Sequence, residues 1–335
     1  MKIAIHNTGF GKRWIEYCQK NKIDYKIVNA YDDDIISQLE DCDAFMWHFH
    51  HHNYKDCLIA KQLTFALQQS GKIVFPDFNT SWYFDDKVGE KYLFEAIDAP
   101  FVKSYVFFTK KEAYDWIENT QFPKVFKLRG GAGAMNVKLA KTKAQAKSFL
   151  TKSFRNGYSQ YDGWGHISDS TQKFLQGQGN FMMIIKNIAR LFKKPQYAKM
   201  LPNEKGYVYF QDFIPNNDYD LRVIVIGNKA FAIKRNCRHG DFRASGSGNI
   251  VYSKNAIDER CVRIAFDLNK KLNSQCIGYD FIFDEANNPL IVECSFGFSA
   301  EGYDNCEGYW TDDMVWHSGS HFDFCGWMVE NIIKK

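Results

Sequence analysis

The segment of residues 278–295 constrains the fold more than any other part of the chain. It reads GYDFIFDEANNPLIVECS, two runs of alternating residues on either side of the turn-forming residues 285–288. The alternation predicts a β-hairpin, and the length of the turn predicts its register. In that register Asp284 pairs with Pro289, Ile282 with Ile291 and Asp280 with Glu293.

This register places two carboxylates, Asp280 and Glu293, opposite each other on one face. The opposite face is apolar and predicts a core contact. Directly opposed acids lie about 5 Å apart and repel each other unless a cation offsets their charge. Oxygen ligands at that spacing suit Mg²⁺, especially Mg²⁺ carried on nucleotide phosphates. A solvated hairpin with two scattered acids is the alternative. The predicted core face carries Phe281, Phe283, Leu290 and Val292.

Composition indicates a globular protein and argues against several classes. The 335 residues include 43 basic and 39 acidic side chains without a basic block, so nucleic-acid binding is not expected. The nine cysteines include no Cys-x-x-Cys pair, which favours reduced thiols over a zinc ribbon or disulfide framework. Without a signal-type run or an apolar stretch of about 20 residues, the sequence predicts a cytoplasmic protein without a transmembrane segment.

The order of elements predicts three domains. Short apolar strands alternate with helical patterns at the start, which predicts a small parallel α/β sheet over residues 1–84. Residues 85–205 form a second domain that contains a glycine-rich loop and an insertion at 154–205. Residues 206–335 form a third domain, which contains the acidic hairpin and an irregular aromatic tail.

A glycine-rich loop follows the predicted strand 123–128. Gly130, Gly131 and Gly133 come directly after Lys127 and Arg129. Glycines let backbone N–H groups approach phosphate oxygens, and a nearby lysine can neutralise the phosphate charge. A plain hairpin turn is the alternative, because the Gly-Lys-Ser/Thr of a Walker loop is absent.

A second hairpin, residues 219–236, turns at Gly227-Asn228. Its register sets Asp220 opposite Arg235 and places Arg222 on the same face. The simpler interpretation is a surface ion pair, contributing about 0–1 kcal/mol. Arg243 follows in a Ser/Gly-rich loop, where its guanidinium could stabilise a phosphoryl group in transfer.

Together these pieces resemble the ATP-grasp superfamily, and most closely ligases of the ribosomal-protein glutamate ligase and glutathione synthase type. The resemblance runs from about Asp86 to Ser295, two-thirds of the chain, and rests on the order and spacing of the parts. It implies an α/β and α+β chain with the ATP-grasp fold. Residues 1–84 would be the small, Rossmann-like, pre-ATP-grasp domain of such proteins.

The resemblance also implies roles for individual residues. Arg222, Arg235 and Arg243 would hold the γ-phosphate and the carboxylate that it activates. Asp280 and Glu293, with Ser295, would bind Mg²⁺, for which Mn²⁺ can substitute. ATP would be bound by Lys87, Lys127, Gly130, Gly131, Gly133, Gln211, Asp212, Phe213, Ile214 and Asp220.

The implied activity is ATP-dependent ligation of a small acid to an amine or thiol through an acyl phosphate. The acid could be an amino acid or a sugar acid, such as one used to build surface polysaccharides. Partners would be small-molecule substrates, with a homodimer left open. A phosphotransferase on the same fold and a non-catalytic nucleotide-binding regulatory protein are the alternatives.

Three positions depart from the family pattern. Ser295 stands where these ligases carry a metal-binding asparagine. Residues 244–248 replace a Ser-Asn and basic segment, and residues 296–298 replace a Pro-Gly after the last metal ligand. These departures fall at the metal ligands and at the segment that handles the acceptor.

Two further features do not belong to that pattern. Residues 48–52 carry four histidines at a predicted strand end. Because successive side chains of an extended segment diverge, acceptor binding is favoured there over a metal site. The helix predicted at 181–194 is apolar on one side with four cations, which fits a lid or packing helix better than membrane attachment.

Overall fold

The computed structural model describes residues 1–131, 136–175, 180–192, 195–238, 242–243 and 249–335. Its contacts divide the chain into two compact units. Unit 1 comprises Met1–Phe84, Tyr92–Phe101 and Ile214–Lys335, and unit 2 comprises Asp85–Lys91 and Val102–Phe213. Each unit is therefore assembled from segments that are distant in sequence.

The amino-terminal part of unit 1 is a parallel four-stranded sheet with the strand order β2-β1-β3-β4. This confirms the predicted parallel α/β arrangement. The order reverses between β1 and β3, and the loops after these two strands therefore diverge at the carboxyl edge of the sheet. The elements are β1 Lys2–His6, α1 Gly11–Asn21, β2 Asp24–Val28, α2 Ile35–Gln38, β3 Ala44–Trp47, α3 Tyr54–Gln69, β4 Ile73–Phe75 and α4 Phe78–Ser81.

The rest of unit 1 is built on a larger sheet with antiparallel pairing, in the order β13-β12-β9-β10-β14-β15, with β11 beside β10. The β9–β10 hairpin has the predicted two-residue turn, because Ile226 pairs with Lys229. The elements are β9 Tyr219–Ile226, β10 Lys229–Asn236, β11 Ile250–Val251, α11 Glu259–Leu272, β12 Cys276–Phe283, β13 Pro289–Ser295, β14 Gly308–Thr311, β15 Trp316–Ser318 and α12 Phe324–Ile333.

Two apolar cores lie on the two faces of this larger sheet. Strand β9 alternates between them, with Ile224 in one core and Val223 in the other. The first core also takes in the parallel sheet, α1 and α12. The second contains the buried face of α11, which Asp258 caps by accepting from the Arg260 N–H.

Unit 2 has its own four-stranded antiparallel sheet, ordered β5-β8-β6-β7, and its own core around Phe126 and Phe210. Thr142 caps α7 by accepting from the Gln145 N–H, as the sequence predicts. Helix α5, Lys87–Ala96, begins in unit 2 and ends in unit 1. The other elements are β5 Ser104–Phe107, α6 Lys110–Asn119, β6 Lys124–Lys127, β7 Lys138–Ala140, α7 Lys143–Phe154, α8 Gly163–Leu175, α9 Phe181–Phe192, α10 Gln196–Met200 and β8 Val208–Asp212.

The structure changes two expectations about organisation. Strand β8 was expected to open the last domain, but it pairs with β5 and β6 inside unit 2, so residue 206 is not a unit boundary. The aromatic tail was expected to be irregular, but β14 and β15 extend the larger sheet of unit 1. Among the described helices, none is both long and apolar enough to cross a membrane.

Candidate active site

Two arginines and two aspartates form a buried ion-pair cluster on the central strands of unit 1. Arg235 on β10 donates to both carboxylate oxygens of Asp220, from Nε at 2.6 Å and from Nη2 at 2.5 Å. The two residues are directly paired across β9 and β10, as predicted. Both are buried, so the simpler interpretation as a surface ion pair is wrong.

Asp280 on β12 joins the same cluster. It accepts two hydrogen bonds from Arg222, at 2.5 Å from Nε and 2.6 Å from Nη2, and lies 3.0 Å from Arg235 Nη2. Burial alone would raise the pKa of Asp280, but Arg222 and Arg235 together hold it at about 2. Burial raises the pKa of Asp220 above its ordinary value, against the opposing effect of Arg235.

The predicted cross-strand pairing of Asp280 with Glu293 is present. The register around it differs from the prediction, because Phe281 pairs with Ile291, so the register shifts by one residue at Val292. Val292 is therefore a β-bulge, and a turn one residue longer than predicted compensates for it. The pairs beyond the bulge are Phe281–Ile291, Ile282–Leu290 and Phe283–Pro289.

The bulge also changes which residues face the core. Ile291 is fully buried, whereas Leu290 and Val292 are only half-buried, so the predicted placement of the last two in the core is wrong. Phe281 and Phe283 are buried as predicted. Asp280 and Glu293 remain paired because the bulge and the longer turn shift the register by one residue in opposite directions.

The two facing acids do not require a metal ion to offset their charge. The guanidinium groups of Arg222 and Arg235 already supply positive charge at Asp280. The carboxylate oxygens of Asp280 and Glu293 nonetheless suit a hard divalent ion, because each oxygen has more than one lone pair. The chemistry of this donor set therefore fits Mg²⁺.

Ser295, the third predicted metal ligand, lies two residues after Glu293 on β13. Its hydroxyl donates to the Gly297 carbonyl at 3.0 Å and accepts from the Gly297 N–H at 3.1 Å. These local bonds orient the hydroxyl toward its own backbone. Its role as a metal ligand remains a prediction.

In unit 2, the start of α5 contacts the glycine-rich loop. Lys87 is buried, and its Nζ donates to the Gly131 carbonyl at 2.8 Å. The Gly131 N–H donates to Asp85 Oδ1 at 2.6 Å, and the Lys87 N–H donates to the Arg129 carbonyl at 2.9 Å. Lys127 is also buried, at the end of β6 that leads into this loop. The structure thus brings Lys87 and the loop together, and their binding of ATP stays a prediction.

The backbone of the loop requires glycine at Gly131, whose φ of +110° is strained for any other residue. A Cβ on Gly130 would lie 3.3 Å from oxygen or nitrogen atoms of Asp85, Gln160 and Glu204. Gly130 therefore lies in a narrow polar environment. Gly133 and the rest of 132–135 are outside the described residues.

Several polar residues around this loop were not predicted. Tyr207 accepts from the Arg129 N–H at 2.6 Å and donates to Glu204 Oε2 at 2.8 Å. Glu90 and Lys91 are buried on α5, three and four residues after Lys87. The i, i+3, i+4 spacing of the α5 residues was a usable signal, whereas nothing in the sequence marked Tyr207.

The predicted adenine-binding segment contains the end of β8. Gln211 is buried and donates from Nε2 to Ser104 Oγ at 3.1 Å. Asp212 pairs with Lys124 Nζ at 2.5 Å. Phe213 and Ile214 are half-buried, and the chain passes from unit 2 to unit 1 between them. Arg243 is half-buried, and its neighbours 239–241 and 244–248 are outside the described residues.

The carboxyl edge of the parallel sheet in unit 1 carries buried histidines. His48 Nδ1 accepts from the Phe10 N–H at 3.1 Å, and its ring stacks on Phe10 at 3.7 Å. Burial lowers the pKa of His48 to about 3, so this ring is neutral. A Cβ on Gly297, just past β13, would lie 3.1 Å from His48 Nε2. The edge therefore packs against the loop that follows the acidic strand.

Comparison with known proteins agrees with the fold. Residues 166–308, less than half of the chain, match the family model described as RimK-like ATP-grasp domain. No curated protein matches the chain. The matched segment contains Arg222, Arg235, Asp280 and Glu293, the residues of the ion-pair cluster and the facing acids.

Solved structures match nearly the whole chain at low identity. A RimK domain ATP-grasp protein from Sphaerobacter thermophilus has a TM-score of 0.57 at 13% identity, covering 99% of this chain and 100% of that one. A D-alanine–D-alanine ligase from Bacillus anthracis, solved with ATP, has a TM-score of 0.55 at 13% identity, covering 88% of this chain and 86% of that one. A third match is the biotin carboxylase domain of a Hydrogenobacter thermophilus 2-oxoglutarate carboxylase, solved with MgADP and bicarbonate. Its TM-score is 0.58 at 12% identity, covering 100% of this chain and 70% of that one.

These findings confirm the resemblance to the ATP-grasp superfamily that the sequence predicts. The chain has the ATP-grasp fold, with a parallel α/β sheet at its amino terminus. Within that fold, residues 166–308 are similar to the RimK-like ATP-grasp domain.

Proposed function

We propose that this protein is an ATP-dependent ligase that joins a small carboxylic acid to an amine through an acyl phosphate. The observation that carries the proposal is the buried cluster of Arg222, Arg235, Asp220 and Asp280 next to Glu293, on the strands that match the RimK-like domain. Bacillus anthracis D-alanine–D-alanine ligase, a structural neighbour, supports this choice of reaction.

The arginines suit the first step chemically. A carboxylate oxygen attacks the γ-phosphorus of ATP, an O–P bond forms, and the bond to the departing ADP oxygen breaks. Negative charge develops on the phosphoryl oxygens, and fixed guanidinium groups stabilise it. Arg222 and Arg235 are held rigidly by two aspartates, so they need little reorganisation during the reaction. We assign to Arg243 the same role of stabilising the negative charge on the phosphoryl oxygens.

In the second step an amine nitrogen attacks the acyl carbon. A C–N bond forms, inorganic phosphate leaves and the amine loses a proton. Histidines lie at the carboxyl edge of the parallel sheet, and a neutral imidazole can accept such a proton. We therefore assign acceptor binding to this edge of unit 1, where α/β proteins place their ligands.

We assign the roles in nucleotide binding separately for each unit. Lys87, Lys127 and the loop at Gly130 and Gly131 are assigned to the phosphates of ATP, because two buried lysines lie beside a glycine-containing loop that one of them contacts. The segment from Gln211 to Ile214 is assigned to adenine. Asp220 serves by orienting Arg235.

Asp280 and Glu293 are assigned to Mg²⁺, with Ser295 as a weaker candidate and Mn²⁺ as a substitute. When bound, the ion would offset the charge of the β- and γ-phosphates. The MgADP complex of the Hydrogenobacter carboxylase domain supports this choice of metal.

The test is a screen for ADP release over amino acids and sugar acids, each paired with ammonia or an amino acid as nucleophile. The expected result is ADP release that depends on both an acid and Mg²⁺. Replacing the amine with hydroxylamine should convert the acyl phosphate to a hydroxamate, which is detected by mass spectrometry.

The matched variants are Glu293→Gln and Glu285→Gln, which remove one acid each from the same hairpin. Glu285 is exposed in the turn, so its variant should keep full activity, while Glu293→Gln should abolish ADP release. A stable phosphorylated product without hydroxamate would instead assign a phosphotransferase. Tight ATP binding with no ADP release across the whole screen would assign a regulatory nucleotide-binding protein.

A further inference from the structure

A tight turn brings three consecutive histidines together after β3. The His50 carbonyl accepts from the Asn53 N–H at 3.0 Å, which closes a four-residue turn. In the extended segment that the sequence predicts, the side chains of His50, His51 and His52 would diverge. In the turn they converge, with ring centroids 4.0 to 5.4 Å apart.

The turn is anchored on both sides. The His50 N–H donates to Asp56 Oδ2 at 2.7 Å, and the buried Asp56 also accepts from the Tyr31 hydroxyl. Asn53 caps α3 by accepting from the Lys55 N–H at 3.1 Å, and its amide donates to the Tyr31 hydroxyl at 2.6 Å. The backbone that carries the three imidazoles is therefore fixed before any ligand binds.

The three imidazoles lie nearly close enough together to bind one metal ion. One ring nitrogen from each lies within 4.8 Å of the other two, and within the described ranges this is the one such group of three ligating side chains. A tetrahedral ion with bonds of about 2.0–2.1 Å needs nitrogens about 3.3 Å apart. His50 and His52 are exposed, so side-chain rotation can close the gap without disturbing the core.

We propose that His50, His51 and His52 bind one transition-metal ion of the Zn²⁺, Ni²⁺ or Cu²⁺ class. Imidazole nitrogen suits these ions, whereas Mg²⁺ prefers the oxygen ligands of the acidic hairpin. Three protein ligands leave a fourth position for water or for an anionic oxygen of a substrate. The site lies at the carboxyl edge of the parallel sheet, and it is chemically distinct from the Asp280–Glu293 pair.

The test uses the chain without a polyhistidine tag, in the absence of nucleotide. Zn²⁺ is titrated in competition with a chromogenic chelator. The expected result is one ion per chain, which an excess of Mg²⁺ does not displace. The double variant His50→Ala/His52→Ala should lose this binding, and His317→Ala, which removes an exposed histidine elsewhere in unit 1, should retain it.

Far-ultraviolet circular dichroism and the melting temperature of each variant show whether it is folded. Absence of a stoichiometric Zn²⁺ site in the unmodified chain, or equal binding by a folded double variant, would overturn the proposal. Because no nucleotide or acid substrate is present, either result is independent of the ligase assay.

Discussion

At the scale of single residues, the charged cluster of unit 1 contains two cations and two anions. Arg235 contacts both Asp220 and Asp280, and Arg222 contacts Asp280 through two hydrogen bonds. Asp220, Asp280 and Arg235 are buried and Arg222 is half-buried, and each charge is tolerated because an opposite charge lies within hydrogen-bonding distance. Removing one member therefore affects stability as well as chemistry.

We expect Asp280→Asn to lower the free energy of unfolding by about 3–5 kcal/mol, because it leaves Arg222 and Arg235 with a single carboxylate. Urea denaturation with EDTA present measures this loss. Glu285→Gln, on the same hairpin, should unfold like the unmodified chain. A loss of activity in Asp280→Asn must therefore be interpreted together with its stability. Glu293→Gln is the cleaner test of metal binding.

The same variant gives a prediction about pH. The pKa of Asp280 is lower in the folded chain, at about 2, than its value of about 3.9 in an unfolded chain. Its pairing therefore contributes to stability at every pH above about 3.9 and loses that contribution as the pH falls toward about 2. The stability difference between the unmodified chain and Asp280→Asn should stay constant from pH 8 to about pH 5. A difference that shrinks within this range would contradict the assignment.

We expect Lys127→Met to raise the dissociation constant for ATP. The substitution keeps most of the buried volume and removes the charge, which costs about 1.5–3 kcal/mol for a charged hydrogen bond to phosphate. That corresponds to a roughly 10-fold or larger increase, measured by calorimetry. Lys143→Met, which changes a lysine that pairs with Glu118 at the surface, is the control. Equal ATP affinity in the two variants would remove Lys127 from the site.

The sequence predicted pairs of residues within a hairpin better than it predicted contacts between strands that are distant in sequence. Alternation and turn length indicate Asp280 opposite Glu293 and Asp220 opposite Arg235, and both pairs are present. That Arg222 reaches across to Asp280 depends on β9 lying beside β12, and local sequence carries no information about this neighbour. The convergence of His50 to His52 was missed because the turn depends on a hydrogen bond to Asn53.

At the scale of elements, an asparagine completes the end of the acidic hairpin. Asn217 Oδ1 accepts from the Phe283 N–H and its Nδ2 donates to the Phe283 carbonyl, both at 2.9 Å. The side chain thereby satisfies the backbone of the last residue of β12, next to the turn. Asn217 helps to fix the strand that carries Asp280.

We expect Asn217→Ala to destabilise this end of the hairpin by about 1–3 kcal/mol, because it leaves a partly buried backbone N–H without its acceptor. Amide hydrogen exchange at Phe283 should accelerate by the corresponding factor. Asn217→Asp keeps the acceptor and loses the donor, so its effect should be smaller. Unchanged protection of Phe283 in Asn217→Ala would show that solvent replaces the side chain at no cost.

Most regular elements were predictable from periodicity, including the parallel strands, the β9–β10 hairpin and the capped helix α7. The bulge at Val292 was not predictable. One extra residue in the turn and one in the strand leave Asp280 paired with Glu293, just as a hairpin without a bulge would. Strands β14 and β15 were also not predictable. Their aromatic residues pack against the larger sheet, and the local sequence shows no alternating pattern that would mark a strand.

At the scale of the whole molecule, the first core of unit 1 joins the two ends of the chain. Trp14 of α1 and Phe45 of β3 share this core with Met328 and Val329 of α12. Residues 1–84 therefore depend on the last helix for part of their burial. The core of residues 1–84 is continuous with the side chains of that helix.

We expect a chain that ends at residue 319 to lose cooperative unfolding. Removing α12 exposes a face of the core, and each large buried side chain contributes about 1.5–3 kcal/mol, against a typical total stability of 5–15 kcal/mol. Thermal denaturation followed by near-ultraviolet circular dichroism measures the effect. The variant Lys334→Ala, which changes an exposed residue just after α12, should melt close to the full-length chain. The side chains lost from the core are Phe324, Cys325, Trp327, Met328, Val329 and Ile332.

The position of Arg222 and Arg235 at Asp280 has a consequence for how a divalent ion enters. Both carboxylate oxygens already have guanidinium counter-ions, so an incoming Mg²⁺ exchanges one counter-ion for another and relieves no repulsion. The driving force for entry should then come from the phosphates that accompany the ion. We expect calorimetry to detect weak uptake of free Mg²⁺ and much tighter uptake of the preformed Mg²⁺–nucleotide complex.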